Sequence, residues 1–161
     1  MTVEHLQGMI GILLADPDPL KRRDAALALA RRSDEPAIGA LARALGDPAK
    51  EVRAAAAGSL GSIGPPAVCA LLESLADGNW AVRYRAAEAL GSIRDGRSVA
   101  ALIGALGDGR DHVRYMAAKG LGRLGEMHAV GPLTAALMDE NPFVRRAARE
   151  ALVSLGSEKP R

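Results

Sequence analysis

DGNWAVRYRAAEALGSI at residues 77–93 and DGRDHVRYMAAKGLGRL at residues 108–124 are two statements of one phrase. An Asp opens it, a Val-Arg pair follows, and two small residues and a Leu close it. Working outward, the Asp recurs at Asp16, Asp47, Asp77, Asp108 and Asp139, about every 31 residues. Six positions after each stands an Arg: Arg22, Arg53, Arg83, Arg114 and Arg145. Val precedes every one of these but the first, where Lys21 takes its place. A period of this length is the signature of a solenoid, in which each unit buries its apolar face against its neighbours. Residues repeated in every unit are then structural, and specificity can reside only where the units differ.

Each period reads as two helices. In residues 65–94, Pro65 and Pro66 suit a first helical turn, where a lost N–H would have had no partner. Val68, Leu71, Leu72 and Leu75 follow at helical spacing. Asp77 interrupts, placed to cap a second helix in which Val82, Ala86, Ala89, Leu90 and Ile93 form one apolar stripe. The chain is therefore expected to be all-α, an α-solenoid of about five helix pairs forming one domain over residues 1–161. The repeats fall at about 3–32, 35–63, 66–94, 97–125 and 128–156.

The small residues have a physical reason. Gly61, Gly91 and Gly122 lie inside second helices, where Gly costs up to about 1 kcal/mol relative to Ala. Their recurrence predicts close approach of a neighbouring helix. Gly64, Gly125 and Gly156 read as C-terminal caps. In the last repeat the second Ala of the pair becomes Arg149 and the interior Gly becomes Val153. Such departures suit a capping unit with an outward face, and predict a complete array.

The two quoted stretches resemble HEAT repeats of the phycobilisome-lyase-like class, whose pattern is Asp, variable residues, Val-Arg, two variable residues, Ala-Ala, then Leu-Gly-x-Ile. The resemblance covers residues 3–156 and speaks for fold rather than activity. Relatives of this class include chromophore lyase subunits, deoxyhypusine hydroxylase and many scaffold or adaptor proteins. The resemblance implies a structural ladder in which each Arg reaches a repeat-leading Asp and ties neighbouring units together. That role is carried to Asp47, Asp77, Asp108 and Asp139 with Arg53, Arg83, Arg114 and Arg145, and less securely to Asp16 and Arg22 because of Lys21. It also implies that second helices line a concave surface.

Catalytic, metal and cofactor signals are absent from the sequence. The hydroxylase relatives hold iron through His-Glu dipeptides, but none of His5, His112 and His128 is followed by Glu. No two of them are spaced to share a helix face. No nucleophile elbow or phosphate loop occurs. No catalytic residue, metal ligand or cofactor site is therefore assigned. The lone Cys69 excludes an intramolecular disulfide and, lying in an apolar run, is expected to be a buried, inert thiol. With 21 basic and 19 acidic residues the net charge is +2, too even to imply a nucleic-acid partner. No apolar run spans a bilayer and no leader is evident, so the expected setting is the cytoplasm, with a monomer as the default state.

Function must lie in the variable positions. Wound at about 100° per residue from the Val, the core stripe of a second helix covers about 0–80°, and six offsets fall between about 160° and 300° on the opposite side. All four aromatic residues of the chain, Trp80, Tyr84, Tyr115 and Phe143, occupy these offsets, together with Met116. Arg85, Glu88, His112, Lys119, Arg123, Arg146 and Glu150 share the face. Aromatics, Met and Arg are the residues enriched at interfaces. The reading is a non-catalytic protein–protein interaction scaffold or adaptor that grips a polypeptide on its concave face. The alternative is a subunit of a chromophore (bilin) lyase-type enzyme or another small-molecule-binding component. Interleaved acidic residues argue against nucleic acid.

Overall fold

The structure is a computed structural model that describes residues 3–157. These form α1 (Val3–Ala15), α2 (Pro19–Ala28), α3 (Glu35–Ala44), α4 (Lys50–Ile63), α5 (Val68–Ser74), α6 (Trp80–Ile93), α7 (Val99–Ala105), α8 (Asp111–Leu124), α9 (Val130–Ala136) and α10 (Pro142–Ser157), with no strand among the described residues. The later first helices, α5, α7 and α9, are each preceded by a short 3-10 turn. Odd-numbered helices pair with the even-numbered helices that follow them, giving an α-solenoid. Successive second helices pack side by side along the whole array, whereas α5, α7 and α9 scarcely meet one another. The even helices therefore form the closely spaced layer, called the inner layer below.

The core is a column of leucines, one or more from each layer, including Leu13, Leu29, Leu41, Leu60, Leu90, Leu121 and Leu133, all fully buried. Ala pairs between them (Ala56 and Ala57, Ala86 and Ala87, Ala117 and Ala118) are equally enclosed and let helices approach closely. An added Cβ on Gly91 would stand 2.7 Å from Gly120 Cα, and one on Gly122 would stand 2.8 Å from Ala151 Cα. Ordinary packing leaves no room for that atom.

Three local readings change. Asp77 is not itself the cap of α6. Its Oδ1 accepts the backbone N–H of Asn79 at 2.7 Å, and Asn79 is the N-cap, accepting from Ala81 N at 3.0 Å. The same turn fixes the starts of α2, α4, α8 and α10 through Asp16, Asp47, Asp108 and Asp139. Gly64 and Gly125 do end helices at positive φ (79° and 77°), but Gly156 lies within α10. Between them Arg94 ends α6 at φ 59°, in the left-handed conformation that Gly125 also adopts and where a side chain is costly. Cys69, expected to be buried, is exposed. The helix it sits on is only two turns long, and its core positions Val68 and Leu71 leave Cys69 on the outer side.

One seam differs from the others. In α6 against α8 and α8 against α10, the interior Gly of one helix meets the residue seven after the Val of the next: Gly91 meets Gly120, and Gly122 meets Ala151. In α4 against α6, Gly61 meets Ser92, ten after the Val, at an ordinary 3.5 Å. The two helices are therefore displaced by three residues, about 4.5 Å or nearly one turn, relative to the regular seams. The same repeat is also one residue shorter. Ile63 reaches Val68 in five steps, whereas Ile93 reaches Val99 in six. On the outer side of this seam, a cleft of ≈ 550 Å³ opens between α3 and α5 beside Asp77.

Candidate protein-binding surface

The repeated Asp and Arg sit at the starts of the second helices, on the border of the inner layer. Arg83 donates from Nε to Asp108 Oδ2 (2.7 Å) and from Nη2 to Asp108 Oδ1 (2.9 Å). Its third nitrogen, Nη1, donates to the carbonyl of Asp77 in its own repeat at 2.8 Å. Arg114 bridges Asp139 and the Asp108 carbonyl in the same way, and Arg22 bridges Asp47 and the Asp16 carbonyl. Each Arg thus ties its own loop to the carboxylate of the next repeat, 25 residues on. Planar guanidinium against carboxylate gives two parallel bonds, a geometry that Lys cannot reproduce. The hydrogen bonds from Arg83 and Arg114 hold the Asp108 and Asp139 carboxyls below the usual carboxylate range.

Two expected rungs are different. Arg53 donates only to the carbonyls of Asp47 (2.7 Å) and Pro48 (2.9 Å), and no ion pair joins it to Asp77 among the described residues. The displaced α4–α6 seam carries Asp77 out of its reach. Arg145 likewise binds, among the described residues, only the carbonyls of Asp139 and Glu140 in its own loop. Arg22, the less secure candidate, does form a complete rung, because replacing Val by Lys21 changes the core stripe and not the Arg position.

The variable face of α6, α8 and α10 carries the aromatic residues. Trp80 (38% exposed) stacks at a tilt on His112, ring centroids 5.3 Å apart. Phe143 is 67% exposed at the start of α10. Asp111, His112, Tyr115, Asn141 and Phe143 enclose a recess of ≈ 320 Å³. Asp111 Oδ1 accepts the His112 backbone N–H and lies 2.8 Å from His112 Nδ1, and Asn141 Nδ2 donates to Asp111 Oδ2. The His112 hydrogen bond in particular keeps the Asp111 carboxyl below its ordinary range. Toward the helix C-termini, Arg94, Lys119, Arg123, Glu150 and Ser154 line a second recess of ≈ 340 Å³.

The other predicted groove residues are placed as follows. Arg85 pairs with Glu88 (2.6 Å) and lies 5.2 Å from the centroid of the half-buried Tyr84 ring. Burial raises the Tyr84 phenol above its ordinary pKa. Lys119 sits over the Tyr115 ring at 5.4 Å, a cation–π arrangement. Arg146 pairs with Glu150 (2.7 Å) on the exposed surface. Met116 is the exception: it is 5% exposed and belongs to the core, not to the groove. Its offset shares the flank of α8 on which Gly120 faces α6, so the neighbouring repeat covers it. Ala55 and Ala147, at the same offset, are buried too.

Arg94 and Asn141 were not singled out by the sequence. Arg94 had a signal, since it replaces the Gly that ends α4 and α8. Asn141 had none, because its bond to Asp111 joins residues 30 apart across two repeats. Among the described residues no three His, Cys, Asp or Glu side chains cluster as a metal site requires, and no single helix is long and apolar enough to cross a membrane.

The sequence profile of HEAT repeats matches residues 6–79 and 69–153. Comparison with curated proteins finds no match. A chain of the CpcE–CpcF complex of phycocyanin lyase from Nostoc sp. PCC7120 superposes with a TM-score of 0.69 at 27% identity, over 95% of this chain and 65% of that one. This protein thus spans less than two thirds of that relative's length. Human deoxyhypusine hydroxylase is similar in fold (TM-score 0.59, 19% identity, 98% of this chain and 75% of that one). So is a designed armadillo repeat protein in complex with the peptide (KR)4 (TM-score 0.58, 19% identity, 94% and 82%). With the helix pairs, the inter-repeat Asp–Arg bonds and the profile in agreement, the chain belongs to the HEAT-repeat family.

Proposed function

We propose that this protein is a non-catalytic scaffold or adaptor that binds an extended polypeptide on the inner face formed by α6, α8 and α10. The observation that carries this reading is the row of rings across three repeats, in which Trp80, His112 and Phe143 are exposed and Tyr115 lies half-buried between them beside one recess. Exposed aromatic side chains flanked by charged neighbours are the usual anchors of protein interfaces. The groove carries both signs, with Arg85 and Arg146 each paired to a Glu and Asp111 held by neither Arg nor Lys, which supports a polypeptide over nucleic acid. The armadillo relative bound to a peptide shows that a similar solenoid accommodates such a ligand.

A second reading, a lyase-type subunit that handles a bilin, is favoured by the 27% identity to the phycocyanin lyase chain. A displayed random-peptide library tests the first. Wild type should enrich peptides that lose at least about tenfold in affinity on Tyr115→Ala or Phe143→Ala, the loss expected for an interface anchor. Failure to enrich any peptide, or enrichment indifferent to both substitutions, would refute the groove assignment. A red-shifted bilin absorbance on mixing with the purified protein would instead support the lyase reading.

A further inference from the structure

The inner face is not uniform along the direction of its helices, and its two recesses differ in charge. At the N-terminal end, Asp111 lies among His112, Tyr115 and Phe143. It is the one carboxylate of this face held by neither Arg nor Lys among the described residues; its partners are His112 and Asn141. Glu88 and Glu150, by contrast, are each paired with an Arg. A carboxylate paired with neither Arg nor Lys beside the exposed Phe143 ring is a site for a cation, through charge and ring quadrupole together.

At the C-terminal end the balance reverses. Arg94, Lys119 and Arg123 converge on the second recess, and its one carboxylate, Glu150, is already bound to Arg146. Neither Arg94 nor Arg123 has an ion-pair partner among the described residues. Arg94 moreover holds a left-handed backbone (φ 59°) where α4 and α8 end in Gly, so a guanidinium is kept at this rim despite the conformational cost. Three unneutralised cations around a recess make a site for a carboxylate.

On α8 the two recesses are centred about eight residues apart, which at about 1.5 Å rise is about 12 Å. An extended chain covers that span in about four residues at about 3.3 Å each. An even separation also keeps both side chains on one face of the extended chain. We infer, resting on the scaffold reading above, that the groove selects an extended segment carrying a Lys or Arg and an Asp or Glu four positions apart. The basic side chain enters the Asp111 recess, the acidic one enters the Arg94–Lys119–Arg123 recess, and the backbone runs along the helices.

Peptides enriched from the random library test this directly. Enriched sequences should carry a basic and an acidic residue four apart, in one chain direction. Replacing the Lys or the Glu of a synthetic enriched peptide by Gln should weaken binding about three- to tenfold in calorimetry. Asp111→Asn should abolish the penalty of the Lys→Gln exchange. Lys119→Glu with Arg123→Glu should turn the selection toward peptides with two basic residues. Helical signal and melting temperature of these surface variants, compared with wild type, establish that they are folded. Enriched peptides that need Tyr115 but show no charge spacing would overturn this inference and leave the scaffold reading standing. No enrichment at all would overturn both.

Discussion

Arg114 and Arg53 occupy the same place in consecutive phrases, yet the structure predicts very different costs for removing them. Arg114 makes two bonds to Asp139 (2.7 and 3.0 Å), one to Glu140 (3.2 Å) and one to the Asp108 carbonyl (3.0 Å). Both side chains of the Arg114–Asp139 pair are only 10% exposed. Arg114→Ala leaves Asp139 with a single backbone donor, Asn141 N, in a site largely closed to water. Breaking a fully buried pair costs about 3–5 kcal/mol and an exposed pair about 0.2–1 kcal/mol. This pair, nine-tenths enclosed, belongs near the bottom of the first range, at about 3 kcal/mol. Arg53 makes two bonds to carbonyls that water can reach, and Arg53→Ala strands no charge, so its loss is about 1 kcal/mol. For a chain of this size about 1 kcal/mol corresponds to about 2–4 °C, giving a fall of about 6–12 °C against about 2–4 °C. Thermal melts followed by circular dichroism, with urea titrations to compare slopes, measure both. Arg114→Lys should recover only part of the loss, because Lys cannot make the paired bonds. Equal destabilisation by Arg114→Ala and Arg53→Ala would refute the claim that the Asp–Arg phrase stabilises chiefly by joining repeats.

The seam geometry makes a second contrast. Gly91→Ala must push α8 away from α6 and should lower the melting temperature by several degrees. Gly61→Ala meets Ser92 Cβ at 3.5 Å and should be neutral or stabilising by up to about 1 kcal/mol through helix propensity. The same melts decide it, and similar destabilisation by both would contradict the displaced register. Acid sensitivity follows from the depressed carboxyls of Asp108 and Asp139. The unfolded chain, with carboxyls near about 3.9, takes up protons before the folded one does. Their contribution is thus complete above about pH 5 and fades as the pH falls below about 4. Asp139→Asn should be less stable at pH 7 and lose less between pH 5 and 3. An identical pH profile for that variant would count against the assigned titration.

The candidate surface was legible in outline. Winding each second helix about its Val put Trp80, Tyr115, His112 and Phe143 on one side, and the structure brings them into one row. The same construction misplaced Met116. Periodicity shows which side of a helix meets its own repeat's first helix, but a solenoid helix is also covered on both flanks by its neighbours. How far those flanks reach depends on inter-helix distance, which here depends on Gly91, Gly120 and Gly122. Asn141 and Asp111 meet for a similar reason, through contact between repeats rather than through spacing within one.

Sequence alone determined the period, the two helices per unit, the Leu and Ala faces and the position of every Asp and Arg of the phrase. These are local properties, written in spacing of three, four or six residues. Only the tertiary structure decided which Arg meets which Asp. That contact spans 25 residues and depends on the relative height of adjacent second helices. In the repeat that is one residue shorter between Ile63 and Val68 the helical pattern is untouched, yet the α4–α6 seam is displaced by nearly a turn. Arg22 thus reaches Asp47, while Arg53 reaches no carboxylate among the described residues. The charge difference between the two ends of the inner face belongs to the same level, since it arises from side chains that converge from three separate repeats.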